Sequence, residues 1–185
     1  MPIVVVGGSG KDVGKTALVC AMISALREFE WTAVKITAHD YGLAEESSSL
    51  TQVVVREERE PGAETDTARY LAAGARRALL VTRFDAVVPV EQIRAAVGED
   101  RNVIFESNRI VNVVKPDVCV ALVGGQERKP GFERLLRLAD AVLMMRGADL
   151  ADLPERISRF ELDSVDRMPK DFVSWLRERL GHGSK

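Results

Sequence analysis

The stretch from Ile3 to Thr16, Ile-Val-Val-Val-Gly-Gly-Ser-Gly-Lys-Asp-Val-Gly-Lys-Thr, limits what this chain can become more than any other. Ile3 and the three valines after it read as a buried strand, and the glycine-rich turn behind them feeds an apolar-periodic helix. Glycines let successive backbone N–H groups turn inward, and the helix N-terminus adds roughly half a positive charge. Lys15 adds a whole charge, and Thr16 offers a hydroxyl to a hard cation. Such a stretch is a phosphate cradle, and the ligand it implies is a nucleoside triphosphate with Mg²⁺. The strict spacing wants glycine where Ser9 stands; Gly8 lies six residues before Gly14, so the loop is one residue longer than that pattern.

With 185 residues the chain reads as one nucleotide-binding domain, 1–185, long enough for a sheet of about five to seven strands with covering helices. Its net charge of −2, with both signs interspersed, argues against nucleic-acid and anionic-membrane partners. Neither a basic leader nor an apolar run long enough to span a bilayer is visible, so a cytoplasmic protein is expected. Cys20 and Cys119 sit in apolar contexts without a Cys-x-x-Cys partner and read as free thiols.

Beyond the loop, apolar spacing predicts a helix from Lys15 to Phe29 and a strand from Thr32 to Thr37. The aperiodic polar segment Ala38 to Leu50 reads as a loop over the nucleotide, and Gln52 to Glu58 as a short strand. Thr65 to Gly74 reads as a helix, Ala78 to Thr82 as a strand and Val88 to Val97 as a helix. Two further strands follow, Asn102 to Phe105 and Asp117 to Val123, the second continuously apolar as an interior parallel strand should be. Phe132 to Leu138 then reads as a helix and Ala141 to Met145 as the last strand; a charged tail ends in an amphipathic helix carrying Phe172, Val173, Leu176 and Leu180. Alternating strands and helices imply an α/β fold, a mainly parallel sheet with helices on both faces, whose ligands bind beyond the carboxyl ends of the strands.

The residues leaving those strands are therefore the candidates. Nucleotide contacts are expected from Gly8, Ser9, Gly10, Lys11, Asp12, Val13, Gly14, Lys15, Thr16 and Ala17, with Lys35 reaching a phosphate oxygen from the second strand. Thr16, Asp40 and Glu106 are the candidate Mg²⁺ groups, Glu106 because it abuts a wholly apolar strand. Lys15, Lys11 and Asp12 are the candidate catalytic residues; Lys11 and Asp12 either face the γ-phosphate or pair with one another on the surface. His39 is either catalytic or a surface histidine. Asp149, in Arg146-Gly-Ala-Asp149-Leu150, either accepts hydrogen bonds from guanine, as the aspartate of Asn-Lys-x-Asp does in GTP-binding proteins, or caps a helix. Ser107 is a candidate cap beside Glu106.

With these residues in view, the chain resembles the cytosolic P-loop NTPases that include dethiobiotin synthetase and the MobB-type adaptor of molybdopterin-guanine dinucleotide biosynthesis. The loop Gly8-x5-Gly14-Lys15-Thr16 with Asp12 looks like that of dethiobiotin synthetase. The middle is similar to the adaptor: Lys35-Ile-Thr-Ala-His39-Asp40, then Pro61-Gly-Ala-Glu-Thr-Asp66-Thr-Ala-Arg69, Ala73-Gly-Ala75, and a strand ending at Glu106. Glu106 is followed here by Ser107 and Asn108 rather than glycine. The resemblance implies a nucleotide-binding adaptor, usually a homodimer, with slow GTP hydrolysis and a cofactor-biosynthesis enzyme as partner; Asp66 and Arg69 would order the loop over the nucleotide.

Two readings follow. One is a switch or adaptor that binds Mg-GTP, or ATP, and hydrolyses it slowly. The other is an ATP-dependent phosphotransferase or ligase that activates a small carboxylate. A ligase needs a second pocket for its acid substrate, and beyond Lys35 the sequence offers no clear cationic cluster for one.

Overall fold

The valines of the first strand divide between two cores. In the computed structural model, which describes residues 2–37, 54–82, 88–100, 102–125, 128–129, 131–148, 153–165 and 167–182, Val4 and Val6 face one side of a sheet and Val5 the other. The elements are β1 (Ile3–Gly8), α1 (Lys15–Ala25), β2 (Thr32–Thr37), β3 (Val54–Glu58), α2 (Asp66–Ala73), β4 (Arg77–Thr82), α3 (Val90–Val97) and β5 (Val103–Glu106). They continue with β6 (Val118–Val123), α4 (Phe132–Leu138), β7 (Ala141–Met145), β8 (Ser158–Leu162) and α5 (Lys170–His182).

Eight strands form one sheet in the order β3-β4-β2-β5-β1-β6-β7-β8. Every neighbouring pair is parallel except β3 with β4. Strand β1 therefore lies centrally between β5 and β6, and its residues are apolar on both faces because helices cover both. Side chains of α1, α2 and α5 join the Val4 and Val6 core, with Leu18, Met22, Tyr70, Phe172 and Leu176 all fully buried. Ile93 of α3 and Phe132 and Leu135 of α4 join the Val5 core.

Three sequence expectations shift. Helix α1 stops at Ala25 rather than Phe29, because Leu26 leaves the helical region at φ −130° and Arg27–Phe29 make one tight 3₁₀ turn. The buried Trp31 takes the Leu26 carbonyl through its indole N–H at 2.9 Å, which fixes the chain at that break. The sheet does not end at Met145: β8 adds a parallel edge strand, where Phe160 packs edge-on against Phe172 with ring centroids 5.1 Å apart. Helix α3 begins at Val90, after Pro89. Thr65 caps α2 by accepting from the Ala68 N–H at 3.0 Å, and Gly74 closes it at φ 107°. Both cysteines are free, and burial pushes the Cys119 thiol up to about 12. Among the described residues no helix is long and apolar enough to cross a membrane.

Candidate active site

The loop between β1 and α1 is fastened at its base and open at its crest. Asn108 grips Gly8 twice, accepting its N–H at 2.8 Å and donating to its carbonyl at 2.9 Å. Ser9 is fully buried, donates its N–H to Leu122 O at 2.9 Å, and exchanges hydrogen bonds with Gly124 through its hydroxyl. Gly8 and Ser9, expected among the nucleotide contacts, therefore have their amides committed inside the fold and serve to anchor the loop. From Gly10 to Ala17, by contrast, no backbone N–H is donated to a partner among the described residues. Gly14 sits at φ 99°, which suits glycine, and a Cβ there would meet Val165 at 2.8 Å. Asp12 is also left-handed at φ 57°, a conformation that aspartate tolerates better than most residues. Lys15 donates to the Gly10 carbonyl at 2.9 Å, so its ammonium lies within the loop. Burial lowers the Lys15 pKa below its ordinary value against the pull of Glu106, and Lys129 and Lys35 add like charge.

Beside the loop lies a polar knot. Thr16 donates its hydroxyl to Glu106 Oε2 at 2.8 Å, and Tyr70, fully buried on α2, donates its phenol to the same oxygen. Lys35 Nζ stands 3.3 Å from Thr16 Oγ1 and 3.4 Å from Glu106 Oε1, and forms an ion pair with Asp66. Burial would depress Lys35, yet Glu106 and Asp66 outweigh it and hold its pKa above the ordinary value. Burial pushes the Tyr70 phenol well above its usual range, and the Glu106 charge pushes it further. Arg69 reaches Asp66 at 3.6 Å along α2. Ser107 caps the turn after β5, accepting from the N–H groups of Arg109 and Ile110 at 3.2 and 3.3 Å.

Loop and knot line one cavity of about 690 Å³ over the carboxyl ends of β1, β2 and β5. Six cationic side chains face it, Lys11, Lys15, Lys35, Arg69, Arg109 and Lys129, against the acids Asp12, Asp66 and Glu106. Sequence reading named Lys11, Lys15 and Lys35 for the nucleotide and Arg69 for the loop over it, but not Arg109 or Lys129, because these come from separate turns with no shared motif. A smaller cavity of about 380 Å³ lies on the other side of the loop, between Gly10–Val13, Gly124, Gly125 and Met145. His39, Asp40 and Asp149 fall outside the described residues.

Thr16 and Glu106 suit Mg²⁺ in chemistry, a hydroxyl and a carboxylate of the hard-oxygen kind that this ion takes in twos while keeping waters and phosphate oxygens. Among the described residues no group of three or more His, Cys, Asp or Glu side chains gathers as a self-sufficient metal centre, so the phosphates would have to complete the shell.

Among solved structures this chain is similar to LpxK from Aquifex aeolicus in complex with ATP, at a TM-score of 0.51 and 15% identity, over 98% of this chain and 67% of that one. No protein-family model matches the sequence, and no curated protein matches it. The loop, the central parallel strand behind it and this likeness together make the fold that of the P-loop NTPases.

Proposed function

We propose that the protein binds a magnesium nucleoside triphosphate in the β1–α1 loop and turns it over. The observation that carries this is the junction of Thr16 and Glu106 at 2.8 Å beside a crest of undonated amides and the Lys15 ammonium. The amides of Gly10 to Ala17 and Lys15 take the phosphates, with Lys129 adding charge next to Lys15. The nucleoside lies in the smaller cavity beside Met145, so the phosphate chain crosses the loop and the γ-phosphate enters the larger one. Thr16 and Glu106 would hold the metal, which would supply positive charge against the charge that develops on the phosphates. Lys35, held against both acids, is placed to follow that charge. With water as acceptor the outcome is slow hydrolysis by a cytoplasmic switch or adaptor. The resemblance to MobB-type proteins favours GTP, a homodimer and a partner enzyme of molybdopterin-guanine dinucleotide synthesis. The likeness to ATP-bound LpxK favours ATP instead.

A second reading, phosphoryl transfer to a small acceptor, is favoured by the cationic lining of the larger cavity, which exceeds its acidic lining by three side chains. Thermal shift with ATP and GTP, each with and without Mg²⁺, tests the core of the proposal: a nucleotide at a hundred times its Kd adds about 2.7 kcal/mol of stability. No shift with either base rules the proposal out. Asp149→Ala should erase any preference for GTP, and a preference that survives removes Asp149 from base reading.

A further inference from the structure

We infer that a cavity of about 510 Å³ between α3 and the connection from β5 to β6 is a binding site for a small alkyl carboxylate, separate from the cavity at the phosphate loop. It lies on the Val5 side of the sheet. Ile3 and Val103, paired across β1 and β5, form its floor together with Phe105, which stands two residues further along β5 on the same face. Ile93 of α3 lines one side, and Ile110 and Val113 line the other. The space stays open because the chain crosses this part of the sheet as a single 3₁₀ turn, Ile110–Asn112, too short to fill it as a helix would. Its volume falls in the range of small-molecule cavities. Among the described residues only Val113 and Leu138 are exposed large hydrophobics, so the apolar surface lies within the hollow rather than around it. That suits a small ligand and not the broad contact of a protein partner.

The charges on the lining select the ligand's head. Arg94 and Lys115 line the cavity, and no acid does so among the described residues. Arg94 is shared with Glu91 at 3.6 Å in a largely exposed pair, whereas Lys115 makes no ion pair among the described residues. Asp117, two residues further on, gives its carboxylate to the Ile3 N–H at 2.7 Å. An exposed ammonium beside an apolar hollow can take a carboxylate in water while the alkyl chain is buried. One segment joins this cavity to the phosphate loop. Phe105 and Ile110 line the cavity, and between them Glu106 accepts the Thr16 hydroxyl, Asn108 grips Gly8, and Ser107 caps the turn at the Ile110 N–H. Occupancy therefore bears on the residues that fasten the loop, and the two ligands should alter each other's affinity by the same factor. That coupling rests on the reading of the loop as a triphosphate site; the cavity itself does not.

Calorimetry on the full chain with octanoate as the probe tests this; acetate lacks the chain and 1-octanol lacks the charge. Octanoate is expected to bind, acetate not to bind, and 1-octanol to bind more weakly than octanoate. Lys115→Gln should weaken octanoate about threefold, the scale of an exposed charge pair, and leave 1-octanol unchanged. Val113→Asp, which sets an acid at an exposed position on the lining, should weaken octanoate about tenfold. Melting temperatures of both variants report whether they fold. Saturation with Mg²⁺ and a non-hydrolysable triphosphate should shift octanoate affinity about fivefold. Absence of octanoate binding overturns the site, as does binding that neither variant weakens or 1-octanol binding as tight as that of octanoate. A dimer that forms without ligand at raised protein concentration and that Val113→Asp dissolves gives the cavity to a second copy, and also overturns it. Octanoate affinity equal with and without bound triphosphate overturns the coupling alone. Failure of the triphosphate to bind overturns the loop reading and the coupling with it, and leaves the cavity to be judged by octanoate.

Discussion

Thr16 and Glu106, 90 residues apart in sequence, are joined by a 2.8 Å hydrogen bond from the threonine hydroxyl to Oε2 of the acid. The same oxygen accepts the Tyr70 phenol, while Oε1 faces Lys35 at 3.4 Å. One carboxylate oxygen is thus saturated by donors from α1 and α2, and the other is left toward the charged side of the cavity. The carboxylate is held by its neighbours before any ligand calls on it.

Tyr70→Phe tests that arrangement. Removing one donor to a buried carboxylate should cost about 1–2 kcal/mol of stability, read in urea melts. Under the metal reading, Glu106 then loses part of its orientation, so the Mg²⁺ titration of nucleotide binding should move to higher concentration while binding without Mg²⁺ holds. A variant with an unaltered magnesium midpoint would make Tyr70 a packing residue alone.

Lys15→Ala removes the ammonium at the centre of the loop. A charge-assisted contact of about 2–3 kcal/mol corresponds to roughly 30- to 150-fold weaker triphosphate binding. The folded state should be little affected, because among the described residues the wild-type ammonium is hydrogen-bonded only to the Gly10 carbonyl. Equal affinities for wild type and variant by calorimetry would sink the phosphate-loop reading.

The central strand, the loop and the order of most helices were legible because their signals are local: a run of valines bounded by glycines, and apolar residues at helical spacing. Strand β8 carried its signal too, Phe160 and Leu162 alternating with Arg159 and Glu161, but the charges read as a solvated tail. Its assignment as a strand comes from pairing with β7, a long-range contact that local pattern does not contain. The site divides in the same way. Lys15, Thr16 and Glu106 stand in recognisable local contexts. Tyr70 carries no local signal for a site role, and only the packing of α2 over β2 and β4 turns its hydroxyl onto Glu106. Arg109 and Lys129 belong to turns whose convergence depends on Asn108 and Ser9 anchoring the loop base.

Lys35 sets an alkaline limit on stability. Folding raises its pKa, so its contribution is complete below the ordinary lysine value of ~10.4 and is lost as pH rises through the raised value. The phenol of Tyr70, kept neutral by the fold, acts in the same direction above its ordinary ~10, while the lowered Lys15 opposes both. Urea melts from about pH 9 to 11 should show falling stability in wild type and a shallower fall in Lys35→Met and Tyr70→Phe. Slopes that match the wild type would mean that the knot does not govern this limb.

Asp100 sets the acid limit, far from the site. It accepts the Thr32 hydroxyl at 2.8 Å and pairs with Arg76 and Arg77, while Arg77 also grips Glu57 through two hydrogen bonds of 2.8 and 2.9 Å. These contacts tie the starts of β2 and β4 to the antiparallel edge strand β3. Burial alone would raise the Asp100 pKa, but Thr32 and Arg77 outweigh it and hold the carboxyl below its ordinary value. Its stabilisation is therefore complete above the unfolded value of ~3.9 and is lost as pH falls through the depressed one. Asp100→Asn should cost about 1–3 kcal/mol at neutral pH, because a buried hydrogen-bonded charge is replaced by a neutral amide facing two arginines. The cost should shrink as pH falls below about 4, where the wild type begins to protonate. Denaturation curves of both proteins across that range decide it: a difference constant with pH would place the acid limb on other carboxylates.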